Sequence, residues 1–136
     1  MQLGEPHPEL HKTLGLALKQ EGKTAEAAEH LNLALKGMPE EVGLYLARAE
    51  CLTKNGQFNE ALADLARLKA IEPYNVQSSA LEFECLFALK RFAEAERCYY
   101  FLQGMHPKAV VTFDEHIRKI RQHNEIVTVR EETRCA

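Results

Sequence analysis

No stretch of this sequence stays apolar for more than five residues, the longest runs being Cys85 to Leu89 and Cys98 to Leu102. A helix that crosses a bilayer needs about 20, so no membrane insertion is expected. An excess of positive charge is also missing. Seventeen Lys and Arg stand against twenty Asp and Glu, giving a net charge of -3, without the basic surplus that a phosphate backbone demands, and nucleic acid is not an expected partner. The first eight residues, Met-Gln-Leu-Gly-Glu-Pro-His-Pro, lack the basic start and apolar segment of a secretory signal, so a cytoplasmic location is expected. The four cysteines, Cys51, Cys85, Cys98 and Cys135, form no C-x-x-C pair. In a chain with this much apolar material they read as reduced thiols, with Cys51 and Cys85 as small buried hydrophobes.

The parts of an enzyme are lacking too. There is no G-x-S-x-G, no phosphate-binding loop and no cysteine beside a plausible base, so neither catalysis nor a cofactor is expected. The six histidines do not assemble into a metal site. His7 precedes Pro8 and is biased away from helix, which spoils its i, i+4 relation to His11. His116 and His123 lie two turns apart with no cysteine at zinc spacing. What remains is one ordinary domain of 136 residues, 46% hydrophobic and 27% charged, with a composition typical of folded globular chains.

The chain repeats itself. Pro39, Pro73 and Pro107 are 34 residues apart, and twelve residues before each stands an alanine: Ala27, Ala61 and Ala95. Each alanine follows a glutamate (Glu26, Glu60, Glu94). Each is followed four residues later by Leu31, Leu65 or Tyr99, and three further on by Ala34, Leu68 or Leu102. Nine residues before the alanines come Leu18, Leu52 and Leu86. A fixed period of this length signals stacked supersecondary units. Within one period the apolar spacing is helical. His11, Leu14, Gly15 and Leu18 share one face of a helix over residues 9 to 21, stopped by Gly22. Ala27, Leu31, Ala34 and Leu35 share a face over 25 to 36, stopped by Gly37 and Pro39. The alanine column is small because two antiparallel helices must approach to about 8 to 10 Å. One hairpin cannot bury both faces, so neighbouring hairpins stack into a solenoid.

These columns resemble the tetratricopeptide repeat, whose 34-residue helix-turn-helix unit carries W-x2-L-G-x2-Y, then A-x3-F, then P. The first unit supplies Leu14-Gly15-x2-Leu18, Ala27-x3-Leu31, Ala34 and Pro39. The second supplies Tyr45, Ala49, Leu52, Gly56, Phe58, Ala61, Leu65 and Pro73. The third supplies Leu86, Phe92, Ala95, Tyr99, Leu102 and Pro107. Departures are His11 and Ser79 at a usual aromatic position, Arg48 and Glu82 at a usual leucine, and Phe83 where a small residue normally allows close packing. Phe83 is expected to splay the junction between the second and third units. The resemblance implies an all-α fold, a short right-handed superhelical solenoid of antiparallel helix pairs. The expected organisation is a lead at 1–7, repeats at 8–41, 42–75 and 76–109, a capping helix at 110–123 and a tail at 124–136. The cap rests on Val110, Phe113, Ile117 and Ile120 surrounded by charge. The tail is expected to be frayed, or helical only in its first turns.

The core pattern leaves a second face on each first helix, and the resemblance implies that this concave surface holds an extended or helical segment of another protein. The candidates are Glu9, Lys12, Leu16 and Lys19 in the first unit, and Leu46, Glu50 and Thr53, beside Gly43, in the second. The third contributes Gln77, Ala80, Glu84 and Phe87. Leu16, Leu46 and Phe87 would meet apolar side chains, and Glu50 and Glu84 would select a basic residue. The alternative is that Leu16 and Phe87 only pack against adjacent helices while the acids are solvated. Members that hold the Glu-Glu-Val-Asp terminus of heat-shock chaperones resemble one another in a carboxylate clamp of Lys, Asn and Arg. Only Lys12 fits that chemistry here, and Leu16, Glu50 and Glu84 stand where donors are needed, so this peptide is not expected to bind. The function expected is a non-enzymatic adaptor, scaffold or chaperone-like module. A second reading is a self-associating unit, a homodimer driven by Tyr100 and Phe101 beside the core column. Bacterial secretion chaperones share the plan of three repeats with flanking helices.

Overall fold

A computed structural model describes residues 7–135, with side chains described through residue 131. Most of the N-terminal lead and the Cys135 side chain lie outside the described residues. The chain forms three helical hairpins, α1 (Pro8–Gln20) with α2 (Thr24–Gly37), α3 (Val42–Lys54) with α4 (Phe58–Ile71), and α5 (Val76–Ala88) with α6 (Phe92–Met105). A 3-10 segment, Pro107–Phe113, and a long helix, α7 (Asp114–Cys135), follow. No strand occurs among the described residues.

The turn inside each hairpin is the same object built three times. The amides of Lys23, Gln57 and Arg91 reach back to the carbonyls of Leu18, Leu52 and Leu86 at 2.9, 2.8 and 2.9 Å. Those of Gly22, Gly56 and Lys90 bond the carbonyls of Lys19, Thr53 and Phe87. This is the nested pair of bonds that closes a helix on a left-handed residue. Gly22 and Gly56 take that conformation at φ 85° and 80°, but the third turn places Lys90 there at φ 60°. The turn between hairpins is set by proline. Met38, Glu72 and His106, each preceding one, leave the helical region, with ψ at 66°, 80° and 84°, because the ring of the following proline disfavours it.

The alanine column explains why the hairpins close. Ala27, Ala61 and Ala95 are completely buried, as are Leu31, Leu68 and Leu102 around them. At Gly15 a Cβ would lie 2.9 Å from Leu31 Cγ and 3.3 Å from the Ala27 carbonyl oxygen, so the first hairpin packs more closely than a side chain permits. The same column carries Ala49 and then Phe83, both fully buried. Phe83, expected to splay the second and third units, directs its ring to the C-terminal side of its own hairpin. Its ring packs at 4.5 Å on Phe113 and at 6.2 Å on Tyr99, filling the space between the third hairpin and the terminal segment. The core is accordingly three clusters in sequence order, the last being shared by α5, α6, the 3-10 segment and α7.

The C-terminal elements differ from the expected 110–123 helix. A three-residue turn sets Val110 and Phe113 on the core side of the 3-10 segment, both buried. Helix α7 then starts with Asp114 and Glu115 at its positive end and buries Ile117 and Ile120. The expectation of a frayed tail at 124–136 is overturned, because α7 continues to Cys135. From Asp114 to Cys135 there is no glycine or proline to stop it. Its described side chains beyond Ile120 are all exposed.

Candidate functional site

The first helices touch one another across the stack, α1 with α3 and α3 with α5, whereas the second helices meet chiefly their sequence neighbours. The side carrying α1, α3 and α5 is therefore the inside of the curve, and the expected groove residues sit on these three helices. Leu16, Leu46, Ala80 and Phe87 are half-buried there, each packed against one of the three core clusters. Glu9, Gln77 and Glu84 are exposed.

Ion pairs between neighbouring helices neutralise the first half of this face. Lys12 Nζ lies 3.2 Å from Glu41 Oε1, and Lys19 pairs with Glu50. Glu50 is thus not a free acid awaiting a basic ligand, because the ammonium one helix away already meets it. Thr53 donates to the Ala49 carbonyl at 2.7 Å and rests 3.3 Å from Cys85 Sγ. Phe87 is enclosed by Phe92 at 5.7 Å and by the edge of His116 at 4.7 Å, so α7 closes one side of the groove at the third hairpin. Partial desolvation pushes the Glu84 carboxyl above its usual range, and the charge of His116 opposes that rise. Neither Glu84 nor Glu9 is held in an ion pair among the described residues, and of the two Glu84 is the one at the third hairpin, beside Phe87 and His116.

The self-association candidates divide. The Tyr100 hydroxyl accepts from Arg121 of α7 at 2.9 Å. Phe101 faces the other way, stacked at 6.4 Å on the exposed Tyr74 with Lys69 Nζ 5.3 Å above its ring. The cysteines are buried and free at Cys51, Cys85 and Cys98. Burial raises all three thiols, Cys98 to about 12, which holds them as unreactive thiols at neutral pH.

Each hairpin is clasped differently at the columns that depart from the repeat. In the first, His11 and His30 stack at 5.4 Å with their Nδ1 atoms 3.1 Å apart. In the second, Arg48 clamps the buried Asp64 through Nε at 2.7 Å and Nη2 at 2.5 Å, and also reaches Asn32 of α2. In the third, Cys98 Sγ donates to the Ser79 carbonyl at 3.2 Å. Arg48 was visible in the sequence as a departure, and a charge at a core column requires a partner. That partner, and Glu41 and His116 beside the groove, carried no periodic signal.

The fold and this inner face define a solenoid of helical hairpins. Among the described residues no cluster of three or more His, Cys, Asp or Glu is arranged to hold a metal, and no helix is long and apolar enough to cross a membrane. The chain is similar to tetratricopeptide repeat proteins: the tetratricopeptide repeat family profile matches residues 18–75. Hsp70-Hsp90 organizing protein 3 of Arabidopsis thaliana is 28% identical over 106 residues, which are 78% of this chain and 19% of that protein. The chain therefore spans about a fifth of that relative's length. Among solved structures, the first repeat domain of Spaghetti (RPAP3), bound to the HSP90 peptide SRMEEVD, superposes with a TM-score of 0.75 at 21% identity, covering 87% of this chain and 93% of that one. The Arabidopsis OM64 repeat domain gives 0.75 at 20%, covering 82% and 94%. The second repeat domain of human RPAP3, in complex with the HSP70 peptide SGPTIEEVD, gives 0.72 at 21%, covering 84% and 98%.

Proposed function

We propose that this chain is a non-enzymatic protein-interaction module, an adaptor or chaperone-like unit, whose inner face holds a peptide or helix segment of another protein. The observation that carries this reading is the row of Leu16, Leu46, Ala80 and Phe87, half-buried on three successive first helices and bordered by paired charge. Such a row offers apolar anchors with a polar rim, the usual anatomy of a binding surface. Glu84 adds a preference for a segment with a basic residue. Peptide selection against the wild-type protein, repeated on Leu46→Arg and Glu84→Lys, tests it. Enriched peptides should pair apolar anchors with Lys or Arg and lose affinity for both variants. Peptides that bind the variants as tightly as the wild type would defeat the assignment.

The acidic chaperone tails held by the RPAP3 domains are a poor match for this face. Lys12 alone supplies the clamp chemistry, and Glu41 already holds it. Labelled SRMEEVD should show no submillimolar binding by fluorescence anisotropy, and such binding would overturn the point. Exposure of Phe101 at 40% and Tyr74 at 75% supports a second reading, a homodimer through this aromatic pair. Sedimentation equilibrium checks it, since a mass that stays monomeric at every concentration, or a dimer unchanged by Phe101→Glu, excludes it.

A further inference from the structure

On the outer side of the stack, α2, α3 and α4 line a shallow, open cleft of about 430 Å³ whose polar lining is Asn32, Lys36, Tyr45, Arg48 and Arg67. Its charge is one-sided. Asp64 meets Arg48 through both oxygens. Glu60, one turn earlier on α4, acts on Arg48 but is not part of the lining. Lys36 and Arg67 have no carboxylate partner among the described residues. The Tyr45 hydroxyl donates to the Pro39 carbonyl at 2.8 Å and accepts from Arg67 at 3.0 Å. The phenol therefore holds the Arg67 guanidinium by one N–H, 5.8 Å from the ring centre, and leaves its other N–H groups available. Asn32 accepts from Arg48 at 2.9 Å, which keeps its NH2 group as a donor.

The neighbouring repeat shows that this arrangement is particular to one cleft. Between α4 and α6 a cleft of about 320 Å³ carries Lys69 and Arg97 together with Glu82 and Glu94, and Lys69 lies 3.7 Å from Glu82. That cleft is internally compensated. The first is not, in a chain whose net charge is -3.

We propose that the α2–α4 cleft binds a phosphomonoester carried on a side chain of a partner polypeptide. Such a group brings about -1.5 to -2 charges and three acceptor oxygens. Arg67 offers planar paired donors, Lys36 a compact charge and Asn32 a neutral donor, so the three oxygens meet three different groups. A carboxylate has one charge and two oxygens, and leaves part of this set unanswered. The site lies across the stack from the inner face and stands independently of what that face holds.

The test is an NMR titration of the full chain. The probes are a short alanine-flanked phosphoserine peptide, its glutamate and serine counterparts, and inorganic phosphate, each at matched ionic strength because the cations are solvent-facing. The expected result is amide shifts clustered at Asn32, Lys36 and Arg67, with the glutamate peptide at least about tenfold weaker. Lys36→Gln and Arg67→Gln should each weaken the phosphopeptide by about tenfold, the loss of one charge-assisted bond. Lys36→Gln removes no hydrogen bond from the fold, so its result stands even where Arg67→Gln loosens Tyr45. A phosphopeptide that binds no tighter than inorganic phosphate overturns the polypeptide source. Equal binding of the glutamate peptide, unchanged binding in both variants, or the same shifts from sodium chloride overturns the site.

Discussion

Among the described residues the first hairpin has an uncovered outer face, whereas the last hairpin is covered. Helix α1 buries a single residue, Gly15, while Leu10 and Leu14 remain 50% and 41% exposed. At the other end Phe83 is fully buried, and Phe113, Ile117 and Ile120 close over it. Both hairpins obey the same 34-residue pattern, yet the pattern fixes only which residues face a neighbour. Whether those residues become core depends on the neighbour being there, because a solenoid is stabilised by nearest-neighbour interfaces. The two hairpins also differ inside. The first seats the Gly15 backbone against the Leu31 side chain and the Ala27 carbonyl, and the third is held by a large ring in the same column.

The sharpest way to break this comparison is Phe83→Ala. It should lower unfolding free energy by about 3–5 kcal/mol, read by urea denaturation. Hydrogen exchange should accelerate in α7 well before α1, and equal acceleration at both ends would contradict nearest-neighbour stabilisation. Next in size is Gly15→Ala, whose Cβ would meet Leu31 Cγ at 2.9 Å and the Ala27 carbonyl oxygen at 3.3 Å. A loss of about 1–3 kcal/mol is expected, and a gain from helix propensity would show that the first hairpin is not closed by this contact. Lys90→Gly relieves a left-handed lysine. The relief is offset in part by the entropy of the new glycine, leaving a gain of about 0.5–1 kcal/mol, checked by thermal unfolding. The smallest effect belongs to Leu14→Gln at the open end, within about 0.5 kcal/mol. A large loss there would mean that the exposed leucine is core after all.

Much of the architecture was legible because it is local. Proline positions, the alanine column and the leucines at the hairpin turns follow from backbone geometry and close approach, which depend on residues near in sequence. The site was legible only as a list of faces. The Lys12–Glu41 and Lys19–Glu50 pairs join residues about thirty positions apart, and a charge shows no preference for one partner until the helices are set side by side. Phe83 was recognised as an exception, but the direction of its ring is decided by the cap. The continuation of α7 past the expected tail is permitted by the absence of glycine and proline, a signal that the β-branched run Ile126 to Val129 obscured.

By itself the sequence determined that this protein is three helical hairpins, with a helix end at Gly22 and a 34-residue period marked by Pro39, Pro73 and Pro107. Those features arise from torsional limits and side-chain size that act within a few residues. Tertiary structure alone decided which charges cancel across the inner face, and which cations stay uncompensated in the outer cleft. Electrostatic pairing acts through space over a few ångströms, and only the stacking of one hairpin on the next brings those atoms within reach.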